Sequence, residues 1–410
     1  MQNVALPIPR SQLLISLTAS LLLLTGEIQI IHSFTDRTFN YQRNQNECNL
    51  VRYRHLSLAD QYRELCKFKQ AESLYLKVLK EPVPLFCPDE FDTATVLNSL
   101  GLLYMDQGRY AEAESTFKRA IQIGQKKYKN EVSVSTFVNN LGNLYKELGR
   151  YDEAERLLEK ALALRIDSMG EENGYTASSM HSLASLYAMK GDYSGAEKLL
   201  RKALQIRKKL YGERHIDVAA SLNNLGSLFW RQGKLEEAEQ LCKTAASIGK
   251  HLLSSEHLTT ISFEANVGKV LCDERKYKEA EPILVRTLEI RKKLLGKDHP
   301  DASVSMNNLA GLYSNTGKYG QAEALLKESL RIDRKTYGDD HPDVAIRLNG
   351  LAYLYAVQKQ YDKIEPLYLE ALKIREKVLG PNHPATAASR KNLLLLHEAM
   401  QATTLSQISN

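Results

Sequence analysis

Residues 221–253 read SLNNLGSLFWRQGKLEEAEQLCKTAASIGKHLL, and this stretch decides the fold. Its apolar residues recur at helical spacing, so that Leu225 and Phe229 share one face of a first helix. Ala238 and Leu241 share one face of a second helix, and Gly233 favours a tight turn between the two. Neither helix can cover its apolar face alone, so the stretch needs neighbours that do so.

The same pattern stands before and after this stretch. The residue that follows the turn recurs every 41 or 42 residues, at Phe68, Tyr110, Tyr151, Tyr193, Leu235, Tyr277, Tyr319 and Tyr361. A fixed period of roughly 20 to 50 residues is typical of a solenoid, in which each unit packs on the next. The sequence therefore predicts eight stacked helix pairs.

The composition is ordinary for a folded protein. Hydrophobic residues make up 43% of the 410 residues, and the formal charge is +6 without a polybasic block. We therefore expect no nucleic-acid partner. The five cysteines form no CxxC pair, and their number is odd, which favours free thiols in a reducing compartment over a disulfide framework; they are Cys48, Cys66, Cys87, Cys242 and Cys272.

Small and large residues alternate in a fixed order within each unit. The first helix carries Leu-Gly or Leu-Ala and a tyrosine three residues later, as in Leu141-Gly142-x-x-Tyr145, and the second carries an alanine such as Ala154. Small residues at a helix crossing let the two backbones approach closely. The units are joined by connectors of the form Leu-Gly-x-x-His-Pro, as at residues 295–300.

This pattern resembles the tetratricopeptide repeat, in the 42-residue form of kinesin light chains and related bacterial repeat proteins. The resemblance covers residues 53–400. It implies an all-α fold, a right-handed superhelical solenoid of antiparallel helix pairs whose first helices line a concave groove. It also implies a non-enzymatic scaffold that binds a peptide or protein partner in that groove. A structural assembly subunit and a kinesin-light-chain-like cargo adaptor are the alternatives, although residues 1–52 lack the heptad coiled coil that such an adaptor uses.

The predicted organisation has six parts. They are a tail (1–10), an apolar segment (11–31), a linker (32–52), eight repeats (53–384), a C-terminal capping helix (385–400) and a second tail (401–410). The apolar run at 13–24 is short for a membrane span, which needs about 20 residues, and it lacks a good cleavage site. An anchor or interfacial segment, a cleaved signal and a soluble tail therefore stay open. If the segment is an anchor, the arginines that follow it place the protein on the cytoplasmic side of the membrane; they are Arg37, Arg43, Arg52 and Arg54.

Motifs that suggest chemistry have simpler explanations. His-Pro-Asp occurs at 299–301 and 341–343, where proline and aspartate both favour a helix start. The connector histidines are one unit apart, so their spacing does not bring them to one metal ion. We expect no catalytic residue, cofactor, metal or small-molecule substrate. The basic runs beginning at Arg207, Arg291 and Arg334 are interpreted as solvated helix ends, with a basic outer stripe as the alternative.

Polar residues on the first helices are the candidate site. They are Asn98, Asn139, Asn143, His181, Asn223, Ser227, Trp230, Arg231, Lys269, Asn307 and Asn349. Asparagine both donates and accepts hydrogen bonds, so a row of asparagines can bind the backbone of an extended peptide. The same row can instead join adjacent repeats to each other, and the two roles are compatible. Trp230, the single tryptophan, marks the position where we expect partner contact first.

Overall fold

The structure, a computed structural model, describes residues 47–80, 93–127 and 131–408. These ranges contain seventeen α-helices, one 3-10 helix and no strand, which confirms the predicted fold class. The helices are α1 Glu47–Glu64, α2 Phe68–Lys80, α3 Thr93–Asp106, α4 Tyr110–Lys127, α5 Glu131–Glu147, α6 Tyr151–Met169, α7 Gly174–Lys190, α8 Tyr193–Tyr211, α9 Ile216–Arg231, α10 Leu235–Leu252, α11 Leu258–Asp273, α12 Tyr277–Leu295, α13 Pro300–Asn315, α14 Tyr319–Tyr337, α15 Pro342–Val357, α16 Ile364–Leu379 and α17 Pro384–Ile408. Nearly all of them lie in one compact unit, Arg52–Pro82 with Phe91–Asn410.

The helices form consecutive pairs, here called repeats 1 to 8, from α1–α2 to α15–α16. Each turn residue named above begins the second helix of its pair; in repeat 8, Tyr361 begins the 3-10 helix Tyr361–Lys363, and α16 follows directly. Helices pack on their partner within the repeat and on the first helix of the next repeat. The apolar core therefore runs as a series of clusters along the array.

Small residues bring the two helices of a repeat together, as the Leu-Gly pattern predicts. A Cβ atom added to Gly142 of α5 would lie 2.9 Å from Leu158 Cδ2 of α6. Ala154, at the start of α6, is fully buried. The first helix therefore lies against the second with no room for a larger side chain.

Buried arginines join three of the repeats to the repeat that follows. Arg165, Arg207 and Arg291 end second helices, yet they are only 5%, 9% and 7% exposed. Each donates to a serine in the first helix of the following repeat, as Arg207 does to Ser221 Oγ at 2.8 Å. The prediction that the runs at Arg207 and Arg291 are solvated is therefore wrong for these two arginines. It overlooked that the first residue of each run points inward, at a serine 14 residues further on.

The ends of the array differ from their predicted bounds. Helix α1 begins at Glu47, inside the predicted linker, and α17 continues past residue 400 to Ile408, through the predicted tail. The predicted tail 1–10 and apolar segment 11–31 lie outside the described residues. Within 47–80, 93–127 and 131–408, each helix is too short or too polar to cross a membrane.

Candidate binding surface on the first helices

The centre of the candidate site is a contact between α9 and α11. The Lys269 ammonium lies over the Trp230 indole, 4.4 Å from the ring centroid, a geometry that attracts a cation to the ring face. The indole Nε1 donates to the Asp273 carboxylate. Burial lowers the pKa of Lys269, and neighbouring Arg231 lowers it further, whereas Asp273 opposes that shift. The result is a half-buried cation held against an aromatic ring, beside an exposed guanidinium.

A second lysine lies on the same series of helices. Lys146 of α5 has a side chain only 12% exposed, and its Nζ is 3.5 Å from Glu147 Oε1. The same ammonium donates to Ser185 Oγ of α7 at 3.3 Å. The first helices of repeats 3 to 6 therefore carry two partly buried lysines, of which Lys269 contacts a ring rather than a carboxylate.

Several predicted site residues join adjacent repeats instead of standing free. Asn98 Oδ1 accepts from Asn140 Nδ2 at 2.8 Å, and Asn223 Oδ1 accepts from Asn266 Nδ2 at 2.9 Å. His181 makes the equivalent contact with Asn224 Nδ2 at 3.1 Å. These contacts are called the asparagine ladder below. The donors Asn140, Asn224 and Asn266 were missed, although Asn140 and Asn224 directly follow the candidates Asn139 and Asn223.

The ladder stops where the next repeat offers no amide. Ser182 stands where a donor to Asn139 would be, and Asn139 Oδ1 is buried without a partner. Gly350 stands opposite Asn307, whose Oδ1 would lie 3.2 Å from an added Cβ. Asn307 is half-buried and outside the ladder. Rungs therefore form only where both repeats supply the amide or imidazole.

The remaining candidates have simple environments. Ser227 Oγ donates to the Asn223 carbonyl of its own helix at 3.0 Å. Asn143 is half-buried, and Asn349 Oδ1 is buried without a partner. The structure therefore brings Trp230, Arg231 and Lys269 together and distributes the asparagines along the array.

His181 is a buried titratable group of the ladder. Burial lowers its pKa to about 4, and the nearby cations Arg207 and Lys146 act in the same direction. Its imidazole is therefore neutral at pH 7, with Nδ1 facing the Asn224 amide. A neutral ring that accepts a hydrogen bond replaces the asparagine that stands here in most repeats.

The groups that suggested chemistry serve the fold. His299 and His341 cap α13 and α15, with Pro300 and Pro342 as first helical residues. Among the described residues, no three His, Cys, Asp or Glu side chains are grouped as metal ligands would be. Burial raises the thiol pKa of Cys66 and Cys272 to about 12 and that of Cys242 to about 11, which disfavours the reactive thiolate.

Comparison with known families agrees with this architecture. The tetratricopeptide repeat profile matches residues 52–126, 92–167, 132–209, 175–251, 256–335, 313–356 and 343–404. The chain therefore belongs to the tetratricopeptide repeat family. No curated protein matches the sequence.

Several solved structures are similar to parts of this chain. Repeats of a putative kinesin light chain from Podosopora anserina are 26% identical, with a TM-score of 0.43 over 51% of this chain and 99% of that one. BtubC (BKLC) from P. vanneervenii is 21% identical, with a TM-score of 0.44 over 60% of this chain and 92% of that one. A Rap protein complexed with Competence and Sporulation Factor is 16% identical, with a TM-score of 0.58 over 85% of this chain and 91% of that one. The Rap protein shares the fold with this chain.

Proposed function

We propose that this protein is a non-enzymatic scaffold that binds a peptide or protein partner along its first helices, centred on Trp230 and Lys269. The observation that carries the proposal is the Lys269 ammonium, which is partly desolvated and lies against an indole ring. Much of the cost of burying this cation is therefore met before a partner arrives. A partner carboxylate placed beside it would form a charge-assisted hydrogen bond.

The surface is also preformed. The ladder and the buried arginines fix the first helices relative to one another, so little ordering entropy is lost on the scaffold side when a partner binds. That a Rap protein of the same fold is complexed with Competence and Sporulation Factor supports a binding role for such an array. Aromatic and arginine side chains such as Trp230 and Arg231 are the types that contribute most at interfaces.

The single tryptophan provides the test. A partner isolated by affinity capture should change the intrinsic fluorescence of the wild type as it is titrated in, since Trp230 is the only indole. K269A should weaken binding by about tenfold or more, which corresponds to ~1.4 kcal/mol or more. K243A is the matched control, because Lys243 is exposed on α10 and paired with Glu239. Equal affinity of K269A and K243A would exclude this surface as the binding site.

Asparagines outside the ladder separate binding from structure. N307A removes an amide that joins no rung, whereas N223A removes the acceptor of Asn266. We expect N307A to reduce partner capture at unchanged thermal stability and N223A to lower stability. Loss of stability in N307A without loss of capture would favour a structural role for the whole row.

An assembly role is the second candidate, and the C-terminal end favours it. Leu394 and Leu395 of α17 are 58% and 51% exposed, and Tyr353 of α15 is 53% exposed. Exposed apolar side chains at the end of a solenoid can serve as a subunit contact. Replacing Leu394 and Leu395 by lysine would then reduce the molar mass measured by light scattering. An unchanged monomeric mass in both proteins would argue against assembly at this end.

Membrane attachment through residues 11–31 is a separate proposal that rests on their apolar sequence. Cell fractionation of the full chain and of a chain lacking residues 1–31 decides it. Membrane-bound full chain and free truncated chain would support the anchor, and a full chain that stays in the soluble fraction would exclude it.

A further inference from the structure

Three connectors of the array touch the turns of repeats six positions earlier. The His299 Nε2 atom, before repeat 7, is 3.3 Å from the Glu64 carbonyl at the end of α1. His383 Nε2, before α17, is 3.0 Å from the Glu147 carbonyl at the end of α5. His341, before repeat 8, faces the turn after α3, where a Cβ added to Gly108 would lie 3.5 Å from its Nε2 atom. These three contacts, whose histidines are 42 residues apart and which lie at helix ends 42 and 41 residues apart, are called the seam.

Each seam histidine joins the ends of two helices. The Nδ1 atoms of His299, His341 and His383 each accept a hydrogen bond from a backbone N–H group, that of the second residue of α13, α15 and α17. The distances are 3.1, 3.1 and 3.0 Å. Because Nδ1 accepts, the ring proton is on Nε2, and His299 and His383 donate it to the terminal carbonyl of the earlier helix. One neutral imidazole thus satisfies an unpaired donor at a positive helix end and an unpaired acceptor at a negative one.

Two further histidines provide an internal comparison. His215 and His257 cap α9 and α11 through the same Nδ1 contact, both at 3.2 Å. His257 is exposed, and the His215 side chain is 38% exposed, whereas His299 is buried. Proline follows the three seam histidines, while Ile216 and Leu258 follow these two. The Nδ1 cap therefore forms at His215 and His257 without an Nε2 contact to any earlier repeat within the described residues. The Nε2 contact of the seam histidines is an addition to that cap.

The turns show the same contrast. A Cβ atom on Gly149 would lie 2.8 Å from His383 Cδ2 and 3.0 Å from Pro384 Cδ. On Gly108 it would lie 3.0 Å from His341 Cδ2. Gly191, Gly233 and Gly317 occupy the same place in repeats 4, 5 and 7, and no atom lies within 4 Å of an added Cβ there. The close approach is confined to turns that face a seam histidine.

The seam is distinct from the contacts that fold each repeat. Stability of a solenoid comes mainly from each repeat and its interfaces with its neighbours. The seam adds contacts between repeats that are not neighbours, and beside it the Phe68 ring stacks on Tyr337 with 5.8 Å between the ring centroids. Such contacts can open while every repeat stays folded, which is the condition for a two-state element.

We propose that the seam is a reversible clasp, in which three neutral histidines hold repeats 1 to 3 against repeats 7, 8 and α17 and whose release lets the solenoid open with its repeats intact. The neighbouring repeats set the curvature, and the clasp selects the closed form. An array without the clasp samples open forms in which its first and last repeats are apart.

Asparagine substitutions test the clasp. H299N/H341N/H383N keeps a side-chain oxygen for each cap, but asparagine is too short to reach the second carbonyl. H215N/H257N changes the two histidines outside the seam and is the matched control. The closed-to-open ratio should fall by roughly fivefold for each hydrogen bond removed.

Two measurements report closure. Lys69 and Lys297 line one crevice of about 660 Å³ between α2 and the connector before α13, so a short amine-reactive cross-linker should join them in the closed form. We expect this cross-link in the wild type and the control, its loss in the triple variant, and a larger radius of gyration of the triple variant by small-angle X-ray scattering. Helicity should be equal in all three. A triple variant with wild-type cross-linking and scattering would overturn the proposal.

A pair of glycine variants decides the matter if the triple variant folds poorly. G149A and G317A impose an alanine on similar left-handed backbones, with φ of +69° and +77°. In G149A the new Cβ also meets His383 and Pro384, whereas in G317A it meets open space. Closure should be lost in G149A and kept in G317A, and equal closure in both would refute the clasp.

Discussion

At the scale of single residues, a glycine within a first helix acts according to what faces it. Gly142 faces Leu158 Cδ2 across the helix pair, and Gly311 of α13 has open space where a Cβ would be. We expect G142A to lower the free energy of unfolding by ~1–2 kcal/mol, because overpacking exceeds the gain in helix propensity. G311A should raise it by ~0.5–1 kcal/mol.

Chemical denaturation of both variants measures these changes. Circular dichroism in water should show native helicity for each, so that the difference reports stability alone. A stabilising G142A would mean that the two helices of repeat 3 separate without cost, contrary to the packing described here.

His181 makes a pH-dependent contribution that can be isolated. Its pKa is about 4 in the folded protein against an ordinary 6.5, because burial disfavours the cation. The unfolded chain therefore binds a proton more readily, and stability is lost as the pH falls from about 6.5 towards 4, by roughly 3 kcal/mol at most. H181N removes this loss while retaining an acceptor for Asn224.

The measurement is the free energy of unfolding at several pH values between 7.5 and 4.5. H181N should match the wild type near neutral pH and exceed it in acid. H251N is the control, because His251 is exposed at the end of α10. If H251N flattens the profile as much as H181N does, burial of His181 is not the cause.

The sequence could name the residues of the candidate site more readily than their roles. The sequence placed Asn98 and Asn223 on the first helices. The residue type alone does not distinguish an asparagine that faces a partner from one that bonds a neighbouring repeat. The deciding donors, Asn140 and Asn266, lie about one repeat further on. Where the donor position holds Ser182 or Gly350, the rung is absent, and this difference was visible in the sequence.

At the scale of helices, the contact between repeats 7 and 8 has its arginine on the other helix, on the first helix of repeat 8 instead of the second helix of repeat 7. Asp333 of α14 stands where the junctions at 165, 207, 291 and 375 have arginine, and Arg347 of α15 stands where those junctions have serine. Arg347 Nε donates to Asp333 Oδ2 at 2.8 Å. Both are buried, so D333A leaves an unpaired guanidinium in the interior. We expect D333A to lose ~3–5 kcal/mol of stability.

The double variant D333R/R347S rebuilds the arginine-serine pair found at Arg207 and Ser221. It should recover most of the loss, whereas D333R alone brings two arginines together and should not. Thermal or denaturant unfolding of the four proteins completes the cycle. Additive effects of the two single changes would show that the residues act independently.

These junctions also show why the burial of the arginines was not predicted from the sequence. A basic residue in the last turn of a helix normally offsets the helix dipole from solvent, and Lys209 beside Arg207 is exposed in this way. The two side chains leave α8 in different directions, so that Arg207 is buried and Lys209 is exposed. The joint exchange at 333 and 347 was the available signal, because unrelated surface positions have no reason to change together.

At the scale of the whole molecule, the 42-residue period was sufficient to predict the fold. The period places the helix starts and the small residues at each crossing, and both follow from local spacing. It does not state how many repeats complete one turn of the superhelix, because that number depends on small rotations summed over many interfaces. Contacts between Glu147 and His383, 236 residues apart, are therefore beyond what the period can predict.

The seam contacts imply coupling between the first and last repeats, which a solenoid with neighbour contacts alone lacks. In an array of nearest-neighbour contacts, a change before α17 affects repeat 8 and fades along the chain. Here His383 also holds the end of α5, so H383N should increase hydrogen exchange at the amides of Leu148, Gly149 and Arg150, which close the α5–α6 turn. Native-state exchange followed by mass spectrometry measures it, with the turn at Gly191 as the internal reference because no seam histidine faces it. Faster exchange at both turns would indicate general destabilisation. Unchanged exchange at both turns would mean that the first and last repeats are uncoupled. An increase in exchange confined to residues 148–150 requires a direct path across the seam.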